Sequence, residues 1–147
     1  MTVAIGCDPN ASGLKRELIE ELEALGHGVT DFGSDDPIYA NVVIAVGEAV
    51  VAGKFDRGVV LCGTGIGASI AANKVPGVYC ALVTDAYQAE RAALSNNANL
   101  IALGAQVTGP RLGRTLVRTW MAHEYKPGGR SEAKVQRITD YAAGHEK

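Results

Sequence analysis

Histidine, cysteine and aromatic residues are scarce in this chain, and no long apolar run occurs. The three histidines (His27, His123 and His145) are scattered without the spacing of a ligand set, and there is no CxxC pair, so no metal is expected. The three cysteines (Cys7, Cys62 and Cys80) are odd in number, and each lies in an apolar strand-like run. That excludes a disulfide framework and reads as reduced, cytosolic thiols. Aromatics make up 5% of the residues, too few for a base-stacking surface. A net charge of −2 gives no general pull toward nucleic acid or an anionic membrane, so any anion site must be local. No segment reaches the roughly 18 uninterrupted apolar residues of a membrane span. The opening MTVAIGCDPN lacks a basic n-region and a cleavage site, so it reads as a strand and not as a signal peptide. The expectation is a cytoplasmic protein with neither nucleic acid nor membrane as partner.

What is present is ordinary globular composition, 47% hydrophobic and 20% charged over 147 residues, which suits a single domain spanning 1–147. Apolar runs rich in β-branched residues recur as VAIGC (3–7), GVTDF (28–32), RGVVLC (57–62), GVYCALV (77–83) and ANLIALG (98–104). They are mostly continuous, as suits strands buried on both faces of a parallel sheet. Between them stand helical patterns: 12–26 with Leu14, Leu18, Leu22 and Leu25 near one face, 41–54 after Pro37, a third starting within GIGASIAANK, and a fourth from about Asp85 to Leu94. Two more follow at 109–125 and 131–144. Regular alternation predicts a doubly wound, Rossmann-like α/β/α sandwich with a five-stranded parallel sheet in the flavodoxin-like order 2-1-3-4-5. The ligand crevice then lies at the carboxyl ends of strands 1 and 3. The last helix has no core role in its own chain and is expected to pack on a second subunit.

Both strands at that switch point end in chemistry, Gly6-Cys7-Asp8 and Leu61-Cys62-Gly63-Thr64-Gly65-Ile66-Gly67. A glycine-rich turn leading into a helix offers successive N–H groups to an anion. The same positive end raises the thiolate fraction of a nearby thiol, so Cys62 stands where a thiolate and an anionic intermediate face one another. Blander uses are open: Cys62 as core, Asp8 as the cap of the first helix and Thr64 as the cap of the third. Gly63, Gly65 and Ala68 also satisfy G-x-G-x-x-G/A, with Asp85 following Gly65 by 20 residues, close to a dinucleotide fingerprint. That motif belongs to the first βα turn, however, and here it follows the third strand.

Read together, GCD (6–8), DDPIYAN (35–41), LCGTGIGASIAANKVPG (61–77), SNNANLIALGAQVTG (95–109) and GGR (128–130) resemble the ribose-5-phosphate isomerase B / galactose-6-phosphate isomerase family over nearly the whole chain. The resemblance implies an aldose–ketose isomerase of small phosphorylated sugars that needs no cofactor. Cys62 would act as the base that shuttles a proton between C1 and C2 through a cis-enediolate. Gly63, Gly65, Ile66 and Gly67 would hold the developing negative charge. Asp8 would hydrogen-bond sugar hydroxyls, Thr64 would place substrate beside the thiol, and Tyr39, Ser95 and Asn96 would line the substrate pocket. Members are homodimers or homotetramers with sites shared between subunits, so Arg130 and Lys134 would reach across to grip the phosphate.

The departures bear on substrate. Pentose-phosphate members carry histidine where this chain has Ser95, and again where it has Pro9. The first of those histidines is credited with opening the furanose ring. A basic residue usual after the last strand is Gln106 here, and the second phosphate arginine is Lys134. A four-carbon sugar phosphorylated on its terminal hydroxyl cannot close a five-membered ring and needs no such group. ERAALSNNAN (90–99) also resembles the erythrulose-4-phosphate isomerase branch, attached to tetritol catabolism. The expected substrate is therefore D-erythrulose 4-phosphate / D-erythrose 4-phosphate, with ribose 5-phosphate as the alternative. A non-catalytic sugar-phosphate or nucleotide binding module is the alternative of another class.

Overall fold

A computed structural model of the chain describes residues 1–145. Strands and helices alternate as β1 (Thr2–Cys7), α1 (Ser12–Ala24), β2 (Gly28–Asp31), α2 (Tyr39–Val51), β3 (Arg57–Cys62), α3 (Ile66–Ala72), β4 (Cys80–Leu82), α4 (Ala86–Leu94), β5 (Leu100–Gly104), α5 (Pro110–Met121) and α6 (Glu132–Ala143). All five strands are parallel and form one sheet. Side chains alternate across it. Val3, Ile5, Cys7, Val59, Leu61, Ile101 and Leu103 pack under α1, α4 and α5. Ala4, Val60, Cys62, Leu100 and Ala102 pack under α2 and α3. Cys7 and Cys62 end neighbouring strands yet face opposite layers, because Cys7 pairs with Leu61 and Cys62 lies one residue further. Among the described residues no helix is long and apolar enough to cross a membrane.

The strand order is β2-β1-β3-β5-β4, so the expected 2-1-3-4-5 is corrected at its outer pair. The physical reason is burial. LIALG is buried at every position and takes the interior, while the three residues of β4 are only half-buried and suit an edge. The chain thus reverses direction between β4 and β5, and a right-handed crossover then places α4 on the α1/α5 side. The run at 77–83 shortens to Cys80–Leu82 because asparagines claim its flanks. Asn99 accepts from Tyr79 N–H at 2.8 Å and donates to the Gly77 carbonyl at 2.9 Å. Asn73 accepts from Cys80 N–H at 2.8 Å and donates to the Cys80 carbonyl at 3.0 Å. Burial on both sheet faces holds for β1, β3 and β5 only, since edge strand β2 is largely exposed. In α1, Leu14, Leu18 and Leu22 are buried as expected, whereas Leu25 is the exposed C-cap. No residue of α6 is buried, and Ile138 and Tyr141 lie exposed on it.

Candidate active site

The carboxyl ends of β1, β3 and β5 converge through backbone bonds. Asp8 N–H donates to the Leu61 carbonyl at 2.9 Å, and Ala105 N–H to the Cys62 carbonyl at 2.9 Å. Asp8 also caps the 3-10 turn Pro9–Ala11, its Oδ1 accepting from Asn10 N–H at 2.8 Å. Cys62 is 4% exposed, and Gly65 N–H donates to its Sγ at 3.1 Å. Any negative charge on that sulfur therefore meets a donor. The donor is aimed by backbone geometry: Gly65 has φ +80°, and a Cβ there would lie 2.6 Å from Leu82 Cδ1. Only glycine turns the chain here without strain and without collision.

Thr64 Oγ1 accepts from Ile66 N–H at 3.3 Å, an ST-turn one residue before the helix, whose N-cap is Gly65. Of the four glycine-loop amides expected to hold an anion, Gly65 and Ile66 thus have partners within the loop. The N–H of Gly67 lies in the first turn of α3, where helix geometry leaves amides without an intrahelical acceptor. The Tyr39 hydroxyl sits against Gly67, in the space a Cβ would fill. Asp8, Tyr39, Cys62, Thr64 and the glycine loop are therefore one cluster.

Ser95, Asn96, Arg130 and Lys134 form another. They line a cavity of about 480 Å³ between α4 and α6. Helix α4 runs back across the sheet, and nine residues carry it about 13 Å toward the amino ends of the strands. Cys62 does not line that cavity. Asp85, the candidate ribose-binding acid of the dinucleotide reading, is the N-cap of α4 and accepts from Gln88 N–H at 2.8 Å. Among the described residues no group of three or more His, Cys, Asp or Glu side chains is arranged to hold a metal ion.

Comparison with known proteins decides the family. The Ribose/Galactose Isomerase family profile matches residues 3–138. The chain belongs to this family. It is 43% identical over 145 residues to the D-erythrulose-4-phosphate isomerase of Pectobacterium atrosepticum, covering 96% of this chain and 95% of that one. It is equally 43% identical to the ribose-5-P isomerase B of Listeria innocua, over 92% of this chain and 93% of the other. Ribose-5-phosphate isomerase B of Clostridium thermocellum superposes with a TM-score of 0.93 at 40% identity, covering 99% of this chain and all of that one. This member of the ribose/galactose isomerase family is thus a sugar-phosphate isomerase, an aldose–ketose enzyme.

Two residues of this isomerase escaped the list of site residues drawn from sequence. Gln106 lies over the glycine loop: its N–H donates to the Gly63 carbonyl at 2.9 Å, and its Oε1 is 3.1 Å from where a Gly63 Cβ would stand. Only the position of β5 beside β3 puts it there. Arg91 lines the cationic cavity and donates from Nε to Ser95 Oγ at 2.7 Å. Its signal in sequence was the spacing of four residues to Ser95 on one helix.

Burial pushes the Cys7 thiol up to about 11 and the Cys80 thiol up to about 12. At pH 8 no more than about one molecule in a thousand then carries a thiolate at either position. Iodoacetamide applied to the folded isomerase at pH 8 is expected to leave Cys7 and Cys80 unmodified over an hour, as read by peptide mass. Label on either of them ahead of Cys62 would contradict this.

Proposed function

We propose that this isomerase interconverts D-erythrulose 4-phosphate and D-erythrose 4-phosphate through a cis-enediolate, in a site completed by a second copy of the chain. The observation that carries the substrate reading is that neither cluster contains a histidine. Position 95 is serine, with its Oγ engaged by Arg91. His27 meets the terminal amine, His123 the Thr119 carbonyl and His145 the Tyr141 carbonyl, all through Nδ1. Opening a furanose needs a group that moves a proton to or from the ring oxygen. A tetrose esterified at O4 is already open-chain. Equal identity to a tetrose and to a pentose isomerase leaves the choice to such residues.

In the mechanism, Cys62 as thiolate takes the C1 proton of the ketose and returns it to C2 while the O1 hydroxyl proton passes to O2, giving the aldose. The Gly67 amide stabilises the enediolate oxygens as their charge develops. Asp8 and Thr64 orient the hydroxyls, and Tyr39, together with Asn96 of the second copy, lines the chain of the sugar. Arg130 and Lys134 of the second copy grip the phosphate, Arg as a planar fork and Lys as a point charge. Homodimerisation is supported by α6, which buries nothing in its own chain while exposing Ile138 and Tyr141. Three unpaired thiols favour a reducing compartment, the cytoplasm.

A side-by-side assay on erythrulose 4-phosphate and ribose 5-phosphate tests the reading, wild type against Ser95→His. The tetrose is expected to be preferred in kcat/KM by about 10²-fold or more, the usual worth of a missing general acid. Ser95→His should gain on ribose 5-phosphate. Ribose 5-phosphate turned over by wild type as well as the tetrose would sink the tetrose reading and favour the pentose one.

A further inference from the structure

The cavity between α4 and α6 holds three cations, Arg91, Arg130 and Lys134, and no carboxylate lines it. In a chain of net charge −2 that concentration of one sign is a local anion site. Arg91 differs from Arg114 and Arg118 of α5 on the same side of the sheet. Arg114 and Arg118 are each paired with glutamates of α1. Among the described residues no carboxylate comes within 4.0 Å of the Arg91 guanidinium. Among the described residues its one polar tie is the 2.7 Å bond from Nε to Ser95 Oγ. A guanidinium has five N–H donors, one of them on Nε. Spending Nε on Ser95 leaves the end-on pair of terminal nitrogens, a fork that matches two oxygens of a phosphate.

We propose that Arg91 is a third phosphate-gripping residue of this isomerase, and that Ser95 is the positioning residue that holds it. The inference rests on reading this cavity as the phosphate end of the sugar site. It also gives serine at position 95 a use of its own. A four-carbon sugar offers fewer hydroxyls to bind than a pentose, so more of the binding energy must come from its phosphate.

The test measures the affinity for inorganic phosphate by calorimetry, and KM and kcat on erythrulose 4-phosphate. The proteins are wild type, Arg91→Gln, Ser95→Ala and Arg130→Gln, each first shown to be folded by its melting curve. Arg91→Gln is expected to weaken phosphate about tenfold, the usual scale of a charge-assisted bond, and to act mainly on KM. Ser95→Ala keeps the charge and loses the tie, so a loss of about threefold is expected there. Unchanged phosphate affinity and KM in Arg91→Gln, with a loss in Arg130→Gln, would overturn the inference and leave the reading of the cavity standing. No loss in either arginine variant removes both. Phosphate binding that falls on Arg91→Gln in a protein inactive on the tetrose would uphold the inference while the substrate reading failed. Ser95→Ala indistinguishable from wild type would overturn the positioning role.

Discussion

Cys62→Ala is expected to lower kcat by about 10²–10⁴-fold, the usual worth of a positioned general base. The side chain is small, lies in the α2/α3 layer and is replaced by a residue that fits the same space, so the fold and substrate affinity should survive. Cys62→Ser should be as inactive, because a hydroxyl is a far weaker acid than a thiol and supplies no base at neutral pH. The companion readout is solvent exchange: wild type should wash deuterium into C2 of the sugar, and both variants should not. Turnover undiminished in Cys62→Ala would end the proposed mechanism. No exchange in wild type would favour a module that binds a sugar phosphate and converts nothing.

The largest stability effect is expected at Trp120, far from that chemistry. Its side chain is fully buried in the layer of α1, α4 and α5. The Arg57 guanidinium stands 4.8 Å from the ring centroid, and it donates to the Trp120 carbonyl at 2.7 Å and to the His123 carbonyl at 2.5 Å. Arg57 thus holds the end of α5 on the start of β3; without it the Trp120 carbonyl would be left with the 3.3 Å bond from His123 N–H and the His123 carbonyl would lose its partner. Trp120→Ala removes the ring from between these elements. Large-to-small changes of this kind cost about 3–5 kcal/mol. In a domain of this size that is a fall in Tm of roughly 10–15 °C. Trp120→Phe should cost well under half as much. It keeps an aromatic face for Arg57 and removes Trp120 Nε1, a buried donor without a partner among the described residues. Thermal melts check both, and kcat below the melting range should be unchanged. A Tm drop under about 3 °C for Trp120→Ala would refute the packing account.

Much of this enzyme was legible in one dimension because its signals are local. Leucines four apart in α1 set a buried stripe, and mostly continuous apolar runs at 57–62 and 98–104 announced the buried strands. A cysteine followed by alternating glycines placed the loop, since only glycine permits the turn at Gly65. The bare last helix was equally visible as a segment left over after the sheet was complete. Strand order was not visible. It depends on which of two late strands buries more, and that competition is settled across the sheet. Exchanging β4 and β5 moved α4 to the other face and brought Gln106 over Gly63 in place of the Thr84–Asp85 turn.

Sequence by itself therefore determined the layers, the crevice and the thiol in it, because propensity and periodicity act within a few residues. Tertiary structure alone decided which groups share a site. It set Cys7 and Cys62 on opposite faces of one sheet and tied Arg91 to Ser95. It also placed Arg91, Arg130 and Lys134 in one cavity between α4 and α6 that Cys62 does not line, because neighbours in space come from how helices cross a sheet and not from distance along the chain.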